Sequence, residues 1–456
     1  ATGYTTNEAK DVYTFTLRKN AKWSDGNPVT AHNFVYAWRR LADPATASPY
    51  SWFADIMALE NIGAVMSGES PPDALGVRAL DNHTLEVRLT ASLPYFAAMT
   101  THASTFPSPE WTVRTFGDDW TKPENIVGNG AYVLTEHIPN ETATRERNSW
   151  YWNNDATIID KVVTLVINDE NTDFTRWEAG ETDMGAVPSG QYPRLKAQYP
   201  DEAISFPRLC TYYMTFNLSP GGPEAFKDVR VRQALSYALD RSVVTDKVLQ
   251  GGQIQAFTFT PGATAGFEVP AVAFGQMSQD ERNAKAKELM AAAGYGSDNP
   301  LKFEYLYNTS EGHKKIAIAA QQMWKETLGV EATLANQEWK TFLKTRGGQN
   351  FDVARGGWCG DYNEASTFLD LMTTPSGYND GKFSNDEVDE LMTSARTMSD
   401  ATANYTRVEE IMANEMPIIP VYHYTGVFML RNNVKGWPFN NVEQNIYSRD
   451  LYKVAD

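Results

Sequence analysis

The segment Arg355-Gly356-Gly357-Trp358-Cys359-Gly360-Asp361-Tyr362-Asn363-Glu364 concentrates more chemical function than any other stretch of the sequence. It continues from a segment, Phe351 to Arg355, that reads as a strand. The two glycines permit close approach of the backbone to a ligand. An Asp after a Gly is ordinarily a turn residue. An Asp fixed beside a Trp and a Cys can instead serve as a buried counter-ion for an ammonium group.

Other chemistry is hard to find. The sequence has no GxSxG elbow, no HExxH and no GxxxxGK[ST] loop. Its histidines, His32, His83, His102, His137, His313 and His423, are scattered with no metal-ligand spacing between them. Gly251-Gly252 and Gly347-Gly348 lack the context of a phosphate loop. No enzyme, metal or cofactor is nominated. The two cysteines, Cys210 and Cys359, belong to no CxxC or Cys/His cluster, which argues against zinc. They are either two unrelated buried thiols or one long-range disulfide of an oxidising compartment.

Aromatic residues nominate a binding surface. The sequence holds 12 Trp, 22 Tyr and 21 Phe. Most fill a core, but Tyr50, Tyr213, Trp339, Trp358, Tyr362 and Tyr424 are read in loops or near strand ends, Trp358 and Tyr362 directly beside Gly, Asp or Asn. Aromatic walls give large apolar contact at little rotamer cost, and ligands favour strand ends and domain interfaces.

The elements that position these residues follow from periodicity. The chain has 456 residues, enough for two or three domains. It is 42% hydrophobic and 21% charged, an ordinary globular composition. Its net charge of −17 argues against nucleic acid and against anionic lipid surfaces. No apolar run is long enough to span a membrane. Alternation predicts strands over 12–17 and 84–89, with a helix from the N-cap Thr30 between them. The apolar run 161–167 reads as a strand buried on both faces. Helix 172–180 and a strand at Asp183 follow it, as in a parallel α/β crossover. Beyond 210, strands at 210–217, 301–307, 330–334, 351–355 and 421–430 alternate with helices at 228–249, 281–293, 312–328, 339–346, 385–398 and 401–416. No long linker separates them, so the chain is expected to cross between interleaved domains.

Several blocks then carry a family resemblance: NAKWSDGNPVTAHNFVYAWRRLADPATASPY (20–50), NIVGNGAYVL (125–134), LCTYYMTFN (209–217), DVRVRQALSYALDR (228–241), YNTSEGHKKIAIA (307–319), NQEWKTFLKTR (336–346) and FDVARGGWCGDYNEASTFL (351–369). Over essentially its whole length the chain resembles the family 5 extracellular solute-binding proteins, the periplasmic oligopeptide binders of bacterial ABC importers. The murein-tripeptide-binding branch of that family fits equally well.

The resemblance implies an α/β, two-lobed, periplasmic-binding-protein-like fold with an additional small domain. Residues 1–109 correspond to the small domain, 110–209 to the main part of the first lobe and 210–425 to the second lobe, with 426–456 returning to the first. It places further mature residues of the family ahead of Ala1. It implies capture of short peptides in the periplasm by a monomer, without catalysis, and delivery to an inner-membrane ABC permease. Asp361 matches the aspartate that holds the peptide α-ammonium. Cys210 and Cys359 match the family's disulfide. Arg346, Arg355 and His313 match basic positions at or near the peptide carboxylate, where an arginine fork suits a carboxylate better than lysine. Tyr50, Tyr213, Asn308, Trp339, Trp358, Cys359 and Tyr424 match cleft positions, and Gly357 a backbone contact. Two positions depart: Leu249 where the best-known peptide binder has lysine, and Thr215 where it has glutamate. Both bear on preferred peptide length and on tolerance of charged side chains.

Overall fold

The computed structural model describes residues 1–455. The chain opens with a four-stranded antiparallel sheet, β1 (Gly3–Thr6), β2 (Val12–Thr16), β3 (Val77–Asp81) and β4 (Thr84–Arg88), ordered β1-β2-β4-β3. Tyr13 lies opposite Val87 and Phe15 opposite Leu85, so the alternating apolar residues share one buried face. Helix Ala31–Ala42 covers it. At the helix start Asn33 Oδ1 accepts from the Thr30 backbone N–H at 2.8 Å, as Thr30's capping position requires. The same core continues into Trp358, Tyr362, Phe368 and the helices Asp386–Ala395 and Thr402–Glu415, so this opening unit packs directly on the segment that carries Asp361.

A separate three-stranded antiparallel sheet follows: β5 (Tyr132–Ile138), β6 (Thr142–Arg147) and β7 (Lys161–Leu165). Here two sequence expectations are corrected. β7 is an edge strand paired to β6, and Val163 is 52% exposed, so the apolar run is not buried on both faces. A β-branched run suits an antiparallel edge as well as a buried strand. Nor is there a parallel crossover. Helix Glu170–Glu178 leads to β8 (Met184–Ala186), which joins a different sheet, antiparallel to its neighbour.

That third sheet also contains β9 (Ala203–Phe216), β10 (Ile254–Gln255), β11 (Lys302–Asn308), β12 (Glu331–Gln337), β13 (Val353–Cys359) and β14 (Ile418–Leu430), in the order β10-β14-β9-β13-β11-β12. Helix Glu311–Leu328 links β11 to its parallel neighbour β12 and stops at Gly329, whose φ of +68° is the left-handed conformation a helix C-terminus favours.

β9 and β14 pair along nearly their whole length, with irregularities between Pro420 and Tyr422 and between His423 and Thr425. On one side of these breaks Tyr212, Met214, Phe216, Ile419 and Val421 enter a core shared with the helices of residues 229–328. On the other side Ala203 and Met429 pack with Phe174, Trp177 and Leu195, while Phe206, Phe428 and Leu430 form a further cluster. The same two strands thus serve separate cores at their two ends.

The expected helix 228–249 is interrupted. A helix runs Val229–Tyr237 and a π-helical segment runs Val243–Leu249. Between them Asp240 Oδ1 accepts from the Ser242 N–H at 2.9 Å and its hydroxyl at 2.7 Å, a local bond that competes with helix continuation. The fully buried Arg241 turns inward and donates to the carbonyls of Ala256 at 2.6 Å and Pro420 at 2.8 Å. It thereby braces the strand break at Pro420.

Candidate functional site

β13 positions the site. It runs beside β11 only at Val353 and Ala354, opposite Tyr305 and Leu306. Beyond that point β11 follows β12 to Asn308 and β13 follows β9 to Cys359. Among the described residues no strand pairs with the far side of Arg355–Cys359. Such an edge offers backbone donors and acceptors to an extended chain. Cys359 lies directly opposite Cys210, and their sulfurs are bonded, as the resemblance implies. Just past the disulfide, Gly360 N–H donates to Leu209 O at 2.9 Å and Asp361 N–H donates to Thr367 Oγ1 at 2.9 Å. The backbone bearing Asp361 is therefore fixed on both sides.

The Asp361 carboxylate is nearly buried, with 9% of its side chain exposed. Tyr50 Oη lies 3.1 and 3.2 Å from its two oxygens and donates to them. His102 Nε2 stands 3.4 Å from Oδ1. His102 Nδ1 accepts from Ser104 N–H, so the neutral ring carries its proton on Nε2, toward the carboxylate. Burial lowers the His102 pKa, which keeps the ring neutral. No lysine or arginine among the described residues pairs with Asp361. Burial pushes its pKa from 3.8 to about 7, against the opposing bond from Tyr50. The site thus presents a desolvated carboxylate with neutral donors and no counter-ion. Around it stand aromatic rings: Tyr378 lies 5.6 Å from Tyr50, 5.3 Å from Trp52 and 5.4 Å from Trp358, centre to centre. Such a ring set suits an ammonium group and the apolar side chain beside it.

Arg355 forms the opposite pole. Its guanidinium lies over Gly357, where a Cβ would come within 2.6 Å of Nη2. Nη2 donates to Tyr424 Oη at 2.6 Å and Nη1 lies 3.5 Å from Asn308 Oδ1. The group sits 5.0 Å over the Tyr212 ring. Nε is shut off from solvent with no hydrogen-bond partner among the described residues, and no carboxylate faces the group. His313 packs 5.5 Å from Tyr212, and burial together with Arg355 holds its pKa down to about 3, so it stays neutral.

The remaining expected residues have mixed placements. Arg346 is buried and already paired, its Nε donating to Asp380 Oδ2 at 2.6 Å and its Nη1 to Arg355 O at 3.3 Å. Tyr213 is buried, its ring covering Gly356, where a Cβ would meet it at 2.2 Å. The two glycines therefore make room for Tyr213 and Arg355, the protein's own side chains. Trp358 is buried beside Trp52 and Tyr378, while Trp339 is 47% exposed and stacks on Phe342. Tyr362 is fully buried and stacks on Tyr95, outside the site. Leu249 is buried in the core that Tyr212, Met214 and Phe216 share with the helices of residues 229–328, and Thr215 lines a small cavity with Tyr213, Tyr378 and Asp380. His102, Trp52, Tyr378, Tyr212 and Asp380 complete the site without having been singled out. No spacing signal marks them, because each is far in sequence from the residue it serves.

Two cores bridged by paired strands, with a charged site at the edge of the bridging sheet, define a two-lobed binding protein of the periplasmic type. The chain belongs to the bacterial extracellular solute-binding proteins of family 5, whose middle-region model matches residues 1–380. It is 46% identical over 458 aligned residues to the periplasmic murein peptide-binding protein MppA of Escherichia coli, spanning 100% of this chain and 84% of that protein. It is 44% identical to the periplasmic oligopeptide-binding protein OppA of Salmonella typhimurium, spanning 98% of this chain and 83% of that one. In structure it matches the E. coli murein tripeptide-binding protein MppA with a TM-score of 0.96 at 45% identity, covering 100% of this chain and 89% of the other. Against the unliganded open form of MppA the TM-score is 0.71 at 44% identity, covering 100% and 88%. The lobes here stand as in the first of these structures, not as in the open one.

Proposed function

We propose that this chain captures short peptides in the periplasm and delivers them to an inner-membrane ABC permease. One observation carries the reading: two buried, uncompensated charges of opposite sign, Asp361 and Arg355, flank an unpaired strand edge. A peptide has that pattern in reverse, an ammonium at one end, a carboxylate at the other and unpaired backbone between. Gripping features common to all peptides gives affinity with little sequence choice, and hydrated pockets accept varied side chains. Gly357, under the guanidinium, lies four positions before Asp361. At about 3.3 Å per residue this separates the charges by at most about 13 Å, the length of roughly four extended residues.

The named relatives support both oligopeptides and murein peptides as cargo. The cross-linked cysteines suit an oxidising compartment. In this reading 1–109 is the small domain, 110–209 with 426–456 the first lobe and 210–425 the second. Peptide closes the lobes about the paired breaks in β9 and β14, the closed form engages the permease, and the monomer releases its cargo uncleaved. Native mass spectrometry of the protein purified from the periplasm tests this. The expected result is retained peptides of about three to five residues, within reach of the charge separation. A non-peptide cargo, or fragments accumulating from an added tetrapeptide, would overturn it.

A further inference from the structure

Beyond Tyr424 lies a second cavity of about 470 Å³, lined by residues that include Arg208, Phe257, Thr258, Ala263, His423 and Tyr424. Arg208 is the one charged side chain among the described residues that line it. His423 is buried and neutral, its Nδ1 engaged by Thr211 Oγ1 at 2.9 Å, and burial holds its pKa to about 3. Among the described residues Arg208 Nε is closed to solvent with no hydrogen-bond partner, and no carboxylate pairs with the guanidinium. Arg208 is half-buried, and its partial desolvation already lowers the guanidinium's pKa, so the arrangement favours an anion supplied from the cavity. Tyr424 contributes to this cavity and also accepts from Arg355, so the cavity at Arg208 adjoins the pole at Arg355. The C-terminal carboxylate of a peptide answers Arg355 and leaves Arg208 unmatched.

We propose that the cavity at Arg208 is a subsite for a side-chain carboxylate of the ligand, so that the protein selects acidic peptides; this rests on the peptide-binding reading above. The fork of the guanidinium favours a planar carboxylate over an amide of the same shape.

Calorimetry with Ala-Glu-Ala, Ala-Gln-Ala and Ala-Ala-Ala-Ala tests it on the full chain, before and after Arg208→Gln and Arg208→Lys. The Glu peptide is expected to bind at least about tenfold more tightly than the Gln peptide. Arg208→Gln should reduce that ratio to near one, Arg208→Lys should keep part of it, and the neutral tetrapeptide should bind all three proteins alike. Equal binding of the Glu and Gln peptides, or a preference that survives Arg208→Gln, overturns the subsite while leaving peptide binding intact. Loss of the neutral tetrapeptide in Arg208→Gln would instead make Arg208 a contact for the chain's end, which also overturns the subsite. Failure of every peptide to bind the unaltered protein removes both readings.

Discussion

Asp361 is expensive while its site is empty. Its pKa of about 7 in the fold stands above the ordinary 3.8. Ionising it in the fold therefore costs stability, a loss that begins as pH rises past 3.8, grows until about 7 and is constant above. A bound ammonium cancels that cost. Below pH 7 the ammonium must displace a proton from Asp361, so peptide affinity is expected to fall by up to about tenfold per pH unit between 7 and 5. The same linkage predicts that Asp361→Asn melts higher than the unaltered protein at pH 8 without peptide, yet gains little from added peptide. Calorimetry across pH and thermal melts check both, and a flat affinity profile would contradict the role given to Asp361. Asp361, Trp358 and Cys359 are legible in the sequence because they are contiguous. His102 and Tyr378 are not, because their approach to Asp361 is made by the packing of the opening unit on the segment after β13.

The strand β13 gives its two glycines a structural task that the sequence does not reveal. Its two glycines signal close approach, and close approach is found, but by Tyr213 and Arg355. The neighbouring glycines are thus expected to fail differently. Gly357→Ala pushes against the guanidinium at the end of the Arg355 side chain, so it should weaken peptide binding with little change in melting temperature. Gly356→Ala meets the packed Tyr213 ring and should cost about 1–3 kcal/mol of stability. Calorimetry and melts on the two variants separate these outcomes, and equal effects on binding would contradict them. Elsewhere the elements with caps and clear alternation, such as helices Ala31–Ala42 and Glu311–Leu328, match their sequence signals. The errors fall where a local signal has two solutions. The run at β7 fits an edge as well as a buried strand, and the apolar face of 228–249 continues in sequence across a break that Asp240 and Arg241 impose.

At the scale of the molecule, the net charge of −17 argues against nucleic acid but does not indicate a ligand. The pattern that indicates one is local: two desolvated charges, one on the strand β13 and one just past its end, beside the paired breaks of β9 and β14. Closure is favourable when a ligand supplies the missing charges and costly when it does not, so cargo and lobe closure are coupled. That coupling depends on the peptide's termini. The direct test is calorimetric titration with trialanine, its N-acetyl form and its C-terminal amide. Each blocked end is expected to weaken binding by about a hundredfold, as for loss of one partner of a buried charge pair. Asp361→Asn should bring the free and acetylated peptides close together. Acetylated trialanine binding the unaltered protein as tightly as trialanine would contradict the account.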